Sequence, residues 1–122
     1  MPLEALRRLD VEKSILNTIK DLLGIAADQT NFDDQIIVHI NTVFFTLQQL
    51  GVGPSPGFFV ESAEDNWEDF IPEGVNYNSI KTYMYLKVKL LFDPPLSSGV
   101  LEAMERMAAE YEWRLKVEAE SK

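Results

Sequence analysis

Cysteine is missing from this chain and histidine occurs once, at His39. Without thiols there is no disulfide framework, no thiolate nucleophile and no Cys-based zinc site. A single histidine leaves zinc short of the three or four ligands it needs. Positive charge is missing over a long stretch: no Lys or Arg occurs in the sixty residues from Asp21 to Ile80. That interval holds ten acids, Asp21, Asp28, Asp33, Asp34, Glu61, Glu64, Asp65, Glu68, Asp69 and Glu73. The net charge of −9 is therefore concentrated in the middle of the chain. Such a surface repels phosphate and disfavours nucleic-acid binding of the counterion-release kind. Long apolar runs are also lacking. Nowhere do eighteen uncharged apolar residues follow one another, so no membrane span is expected. The opening MPLEALRRLD lacks the apolar run of a signal peptide. No Walker lysine loop and no GxGxxG occurs, and Gly51-Val52-Gly53-Pro54 reads as turn chemistry.

What is present fits one compact domain: 122 residues, 13.9 kDa and 46% hydrophobic residues, enough for a core without metals or disulfides. Residues 1–10 read as a separate arm or extension, with Leu3, Leu6 and Leu9 three residues apart. The first helix is expected from about Val11 to Leu23, with Asp10 as its N-cap, Val11, Ile15, Ile19 and Leu22 on one face, and Gly24 at its end. The second is expected after an Asn31 N-cap, with Asp33 and Asp34 in a first turn where the helix dipole favours acids. Its core stripe is Phe32, Ile36, Ile40, Val43, Leu47 and Leu50. Val38 and Phe45 lie on roughly the opposite side, where a second packed surface would sit.

Gly51 to Gly74 is punctuated by Pro54, Pro56 and Pro72 and cannot be one helix. A short strand is expected at Phe58-Phe59-Val60 and a helical turn at 66–70 that tucks Trp67 and Phe70 beneath the loop. Connections this long are commonly functional or disordered. The aromatic content favours an ordered projection or flap.

The third helix is expected to begin near Asn76 or Asn78 and to end at Asp93-Pro94-Pro95, where proline cannot continue it. Ile80, Met84, Val88 and Leu91 make its core face. Tyr83, Leu86 and Leu90 make a second one, and Lys81, Lys87 and Lys89 interrupt the ring. A surface helix should show one apolar stripe, so this helix is either central or covered by another chain. An oligomer is the expectation. The last helix should start at Ser97 or Ser98, with Leu96 and Leu101 as a hydrophobic staple. Its stripe is Val100, Met104, Met107, Ala108, Tyr111 and Leu115, with Trp113 pointing away. Residues 117–122 read as a polar tail.

Chemistry is hard to place on this pattern. His39 flanks a core stripe, as boundary histidines do. The run from Glu61 to Glu73 lacks the ligand order of an EF-hand loop. Paired carboxylates in a solvated acidic loop are rarely catalytic, so no enzyme is expected, nor any cofactor or metal. What remains is interaction surface. A helix carrying Lys81, Lys87 and Lys89 opposes an acidic, base-free region, which suits head-to-tail contact between copies. The expected subunit interface is Val38, Phe45, Lys81, Tyr83, Leu86, Lys89 and Leu90.

Three segments carry a family resemblance: ILNTIKDLLGI at 15–25, FDDQIIVHINTVFFTLQQLGVGP at 32–54, and TYMYLKVKLLFDPPLSSGVLEAMERMAAEYEWRL at 82–115. Together they resemble the small helical head–tail connector (adaptor) proteins of long-tailed bacteriophages and their prophages. The resemblance implies a mainly α, four-helix connector-type bundle over residues 11–116, with the long acidic loop between helices 2 and 3. It further implies a virion protein of the neck, made in the bacterial host cytoplasm. Such proteins form a ring, usually of twelve copies, beneath the portal, extending the DNA channel and docking a stopper, head-completion or tail protein. By family position Trp113, Arg114 and Lys116 would contact the portal. Glu61, Glu64, Asp65, Glu68, Asp69 and Glu73 would line a channel through which duplex DNA passes without specific binding. The competing expectation is a small acidic regulator or DNA mimic that occupies a basic partner.

Overall fold

The structure, a computed structural model, describes residues 13–54, 57–71 and 76–121. Expectations for the 1–10 arm, for Asp10 and Val11, and for Glu73 lie outside that range. The described chain forms five helices: α1 (Ile15–Leu22), α2 (Asp33–Gln49), the single turn α3 (Trp67–Phe70), α4 (Tyr77–Phe92) and α5 (Ser98–Glu120). No strand occurs among the described residues. The one bridge joins Ser14 and Asn66, and 58–60 is not a strand.

Caps explain most boundaries. Asn76 and Ser97 accept hydrogen bonds from the backbone N–H of Ser79 and Val100, as their sequence context predicts. Asn66 and Asp69 form a capping box around α3, which fixes a turn too short to persist alone. α1 is capped by Ser14, which accepts from the Asn17 N–H, so the helix starts later than the stripe suggests. At α2 the cap position belongs to Phe32 and no side chain caps it. Asn31 is not used. The first turn is held instead by Asp33, whose carboxylate meets Lys20 Nζ at 2.7 Å, and by the Phe32 ring packed edge-on against Phe92 at 5.6 Å. Lys20 is buried, and its ammonium also donates to the Ala27 carbonyl at 3.0 Å. A buried ammonium needs such partners, because desolvation otherwise outweighs packing.

α4 occupies the middle of the bundle, packed against α1, α2 and α5. Ile80, Tyr83, Met84, Leu86 and Val88 are buried on it, an arc far wider than one stripe. The hydrophobicity of this helix is thus consumed within the chain. Tyr83 is wholly covered, at 0% exposure, and Leu86 is buried. Neither is available to a neighbouring subunit, which corrects that part of the expected interface. Leu91, placed in the core by periodicity, is exposed.

The described part of the connection between α2 and α4 packs into the core and is not a projecting flap. Val60, Trp67, Phe70 and Ile71 are buried. Phe44 of α2 receives Phe58 and Phe70 edge-on at 5.2 and 4.4 Å. The Trp67 indole donates to Thr18 Oγ1 at 3.1 Å, and Thr18 donates to the Ser14 carbonyl at 2.6 Å. Gly53 permits the approach: it holds φ +95°, and a Cβ there would lie 1.9 Å from the Phe70 ring. Only glycine fits both demands.

On α5 the expected stripe is met at Ala108 and Leu115, which are buried, and at Met104 and Tyr111, which are half-buried, while Val100 and Met107 are exposed. Glu112, half-buried beside this face, receives the Tyr83 hydroxyl. Leu96 is fully exposed, so no hydrophobic staple forms, and Leu22 of α1 is exposed as well. The helix runs to Glu120 and is capped by Ser121. The polar tail is its last turn.

Candidate assembly surfaces

With the core satisfied, the exposed apolar side chains define the surfaces left for partners. On α2, Val38 and Phe45 are 62% and 60% exposed, and Phe59 in the following connection is 62% exposed. Their spacing places Val38 and Phe45 on either side of Asn41, one turn away in each direction. The Asn41 amide makes both hydrogen bonds that a neighbouring strand would make. Its Nδ2 donates to the Val60 carbonyl at 3.0 Å, and its Oδ1 accepts from the Val60 N–H at 2.7 Å. This clamp turns Val60 inward and leaves Phe59 outside beside the α2 face. Sequence reasoning found Val38 and Phe45 but missed Asn41 and Phe59. A polar residue between two apolar ones on an outer helix face was the available signal.

The lysines of α4 are half-buried at its margins. Lys81 sits over the Tyr77 ring, 5.4 Å from its centroid, and Lys89 pairs with Asp93 at 2.7 Å. Leu90 is half-buried beside them. On α5, Trp113 is 65% exposed, Lys116 is exposed, and Arg114 pairs with Glu110 one turn earlier at 2.6 Å. Exposed pairs of this kind contribute little to stability, so these cations remain usable by a partner.

The acids do not form one cluster of equals. Asp65 Oδ2 accepts from the Glu61 and Ser62 N–H groups at 2.7 and 3.2 Å. Asp69 Oδ2 accepts from the Asn66 N–H at 3.1 Å. Both carboxylates therefore build the connection's turns, whereas Glu61, Glu64 and Glu68 are exposed. Among the described residues no group of three His, Cys, Asp or Glu side chains converges as a metal site would require. His39 is half-buried, with its ring edge-on to Phe92 at 6.3 Å.

One buried group has a strongly altered ionisation. The Tyr83 hydroxyl donates to Glu112 Oε2 at 2.7 Å. Burial, then that hydrogen bond, then the carboxylate's charge push the phenol far above its ordinary value. The bond ties α4 to α5. A hollow of about 530 Å³ lies near the C-terminal end of α5, between Gly51–Pro54, Glu68–Ile71 and Leu115, Glu118 and Ala119.

The family model described as phage connector protein matches residues 15–122. The chain belongs to the phage connector family. The match begins where α1 begins and takes in every helix, so the connector's whole described fold is the family's domain. No curated protein and no solved structure matches the connector. Membership makes it a virion component with a structural role, assembling with portal or tail components, and no helix among its described residues is long and apolar enough to cross a membrane.

Proposed function

We propose that the connector is a head–tail adaptor: a ring of twelve copies that sits beneath the portal, extends the DNA channel and seats the next head-completion or tail protein. The observation that carries this reading is the family match over residues 15–122. Two features of the fold support it. Apolar surface stands exposed on α2, at Val38 and Phe45, and separately on α5, at Val100 and Met107. Different surfaces carried by different helices suit a head-to-tail contact, which closes into a ring when the rotation allows. Lys81, Lys89 and Leu90 belong to the same proposed subunit boundary, facing the acidic part of the next copy.

The portal is engaged by Trp113, Arg114 and Lys116 on the outer face of α5. An exposed tryptophan beside two cations is an anchor of the kind that dominates protein interfaces. The channel wall is provided by Glu61, Glu64, Asp65, Glu68, Asp69 and Glu73, of which Asp65 and Asp69 also accept from the Glu61, Ser62 and Asn66 N–H groups. A wall of acids lets a duplex slide, because it offers no phosphate contacts.

Electron microscopy of the purified connector with and without a portal ring tests the proposal. Rings, or collars on the portal, are expected, and a protomer that stays monomeric alone should still form collars on the portal. A monomer that ignores the portal and blocks a DNA-binding protein would replace this reading with the DNA mimic. Lys81→Glu with Lys89→Glu should weaken assembly and reduce its salt dependence, read by light scattering across a salt series.

A further inference from the structure

The outer face of α2 is uncharged over an unusual length. From Gln35 to Val60 the chain holds no Lys, Arg, Asp or Glu. Val38, Thr42, Phe45 and Gln49 recur at steps of one helical turn and are all exposed, and Phe59 stands exposed beside them. Aromatic and aliphatic side chains without charge are the composition of an interface centre. Whatever covers such a face must itself be uncharged there. A charged side chain pressed against it would lose its hydration and gain no partner.

A second surface of that kind runs along the first half of α5. Val100 and Met107 are exposed on it, and Ala103, Met104 and Tyr111 are half-buried along the same stripe. Leu96 stands fully exposed just before the helix. At about 100° per residue, Glu102, Glu105 and Arg106 fall on the other side. The two faces do not meet within one chain, since both are open to solvent and α2 and α5 each pack chiefly on α4. Pairing α2 with α2 and α5 with α5 would take two kinds of contact. Setting the α5 face of one copy on the α2 face of the next takes one kind, and in a closed ring it leaves neither face uncovered. The side chains suit each other, because methionine is flexible and its thioether packs well against aromatic rings.

We infer that Val100 and Met107 of one copy pack against Val38, Phe45 and Phe59 of a second copy, as the repeated contact of the ring. This pairing rests on the adaptor reading and names the faces that meet. Trp113 and Lys116, on the opposite side of α5, stay clear of it. One helix then serves a neighbouring copy with its first half and the portal with its second.

The absence of cysteine makes a direct test clean. Full-length Phe45→Cys is mixed with full-length Met107→Cys on portal rings under mild oxidation, and Val38→Cys is mixed with Val100→Cys in the same way. At least one mixture should form a disulfide-linked dimer about tenfold faster than either of its variants alone, because a seated contact holds the thiols at high effective concentration. Glu102→Cys, on the charged side of α5, replaces the α5 variant in control mixtures and should give no acceleration. Mixtures no faster than these controls would overturn the pairing. So would a dimer that forms as fast in Phe45→Cys or Val38→Cys alone, which would put a two-fold α2 contact in its place. Charge exchange supplies a second measurement. Phe45→Lys and Met107→Glu should each reduce the collars counted by electron microscopy severalfold. The double variant, in which every copy offers a lysine to its neighbour's glutamate, should recover most of them, and a double variant as defective as Phe45→Lys would also overturn the pairing. Collars that form while these tests fail would strike the pairing and leave the adaptor reading standing. No ring or collar with the natural sequence would remove both.

Discussion

α4 and α5 pack side by side, and nearly everything else about them differs. α4 has sixteen residues and buries five of them, because α1, α2 and α5 all press against it. α5 has twenty-three residues and buries two, with four of its large apolar side chains exposed. By sequence, α4 is the helix with too much hydrophobicity for a small protein. In the fold it is satisfied, and the surplus belongs to α5 and to the outer face of α2. A helix that is apolar on several faces reports how many neighbours it has, whichever chain supplies them. Unsatisfied surface is better sought on a long helix with few neighbours.

Substitutions can sharpen this contrast, and the largest effect should come from α4. Met84→Ala removes a fully buried side chain at the centre of three helix contacts and should cost about 4 kcal/mol in denaturant unfolding. Leu115→Ala, at one of the two buried positions of α5, should cost less, about 2 kcal/mol. Its surroundings already open onto the hollow, so little new cavity is created. A loss equal to that of Met84→Ala would break the comparison.

Tyr83→Phe tests the tie between the two helices. Losing a hydrogen bond to a carboxylate should cost about 1.5 kcal/mol at neutral pH. Its pH dependence has a definite sign. The folded phenol titrates above its unfolded value near 10. Its contribution is fully present below about pH 10 and is lost as pH rises above it, because the unfolded chain then releases the proton first. Stability of the natural sequence should therefore fall more steeply above pH 10 than that of Tyr83→Phe. Parallel curves would show that burial does not hold the proton on this hydroxyl. The smallest effect on folding is expected from Trp113→Ala, within about 0.5 kcal/mol. The same change should markedly reduce binding to the portal, and a variant that binds normally would remove α5's outer face from the proposed contact.

Much of this architecture was legible beforehand. Asn76 and Ser97 were readable because capping chemistry is local, the 66–70 turn because it carries Trp67 and Phe70, and the α2 core stripe from Ile36 to Leu47 because its spacing is regular, although Phe32 at its start is exposed. Tyr83 and Leu86 were misplaced for the opposite reason. Periodicity shows that a second face is apolar but not what covers it. The α5 stripe includes both buried residues, Ala108 and Leu115, but was extended to Val100 and Met107, which are exposed, and it gave no sign that Glu112 receives a tyrosine hydroxyl twenty-nine residues away. Asn31 looked like the better cap for α2, yet Asp33 and Lys20 decide that helix start through a contact between α1 and α2. Lys20 gave one faint signal, as the last cation before a long acidic stretch. The Asn41 clamp gave only the signal of a polar residue between two apolar ones, because the Val60 backbone groups it holds have no signature in sequence.

The burial of Lys20 has a consequence for how the molecule looks electrically from outside. With that ammonium sealed between Asp33 and the Ala27 carbonyl, residues 14–80 turn no cationic side chain toward solvent. A polyanion approaching those residues would meet carboxylates and no ammonium of theirs, so one buried lysine leaves the exposed ionic groups of more than half the chain's length all of one sign.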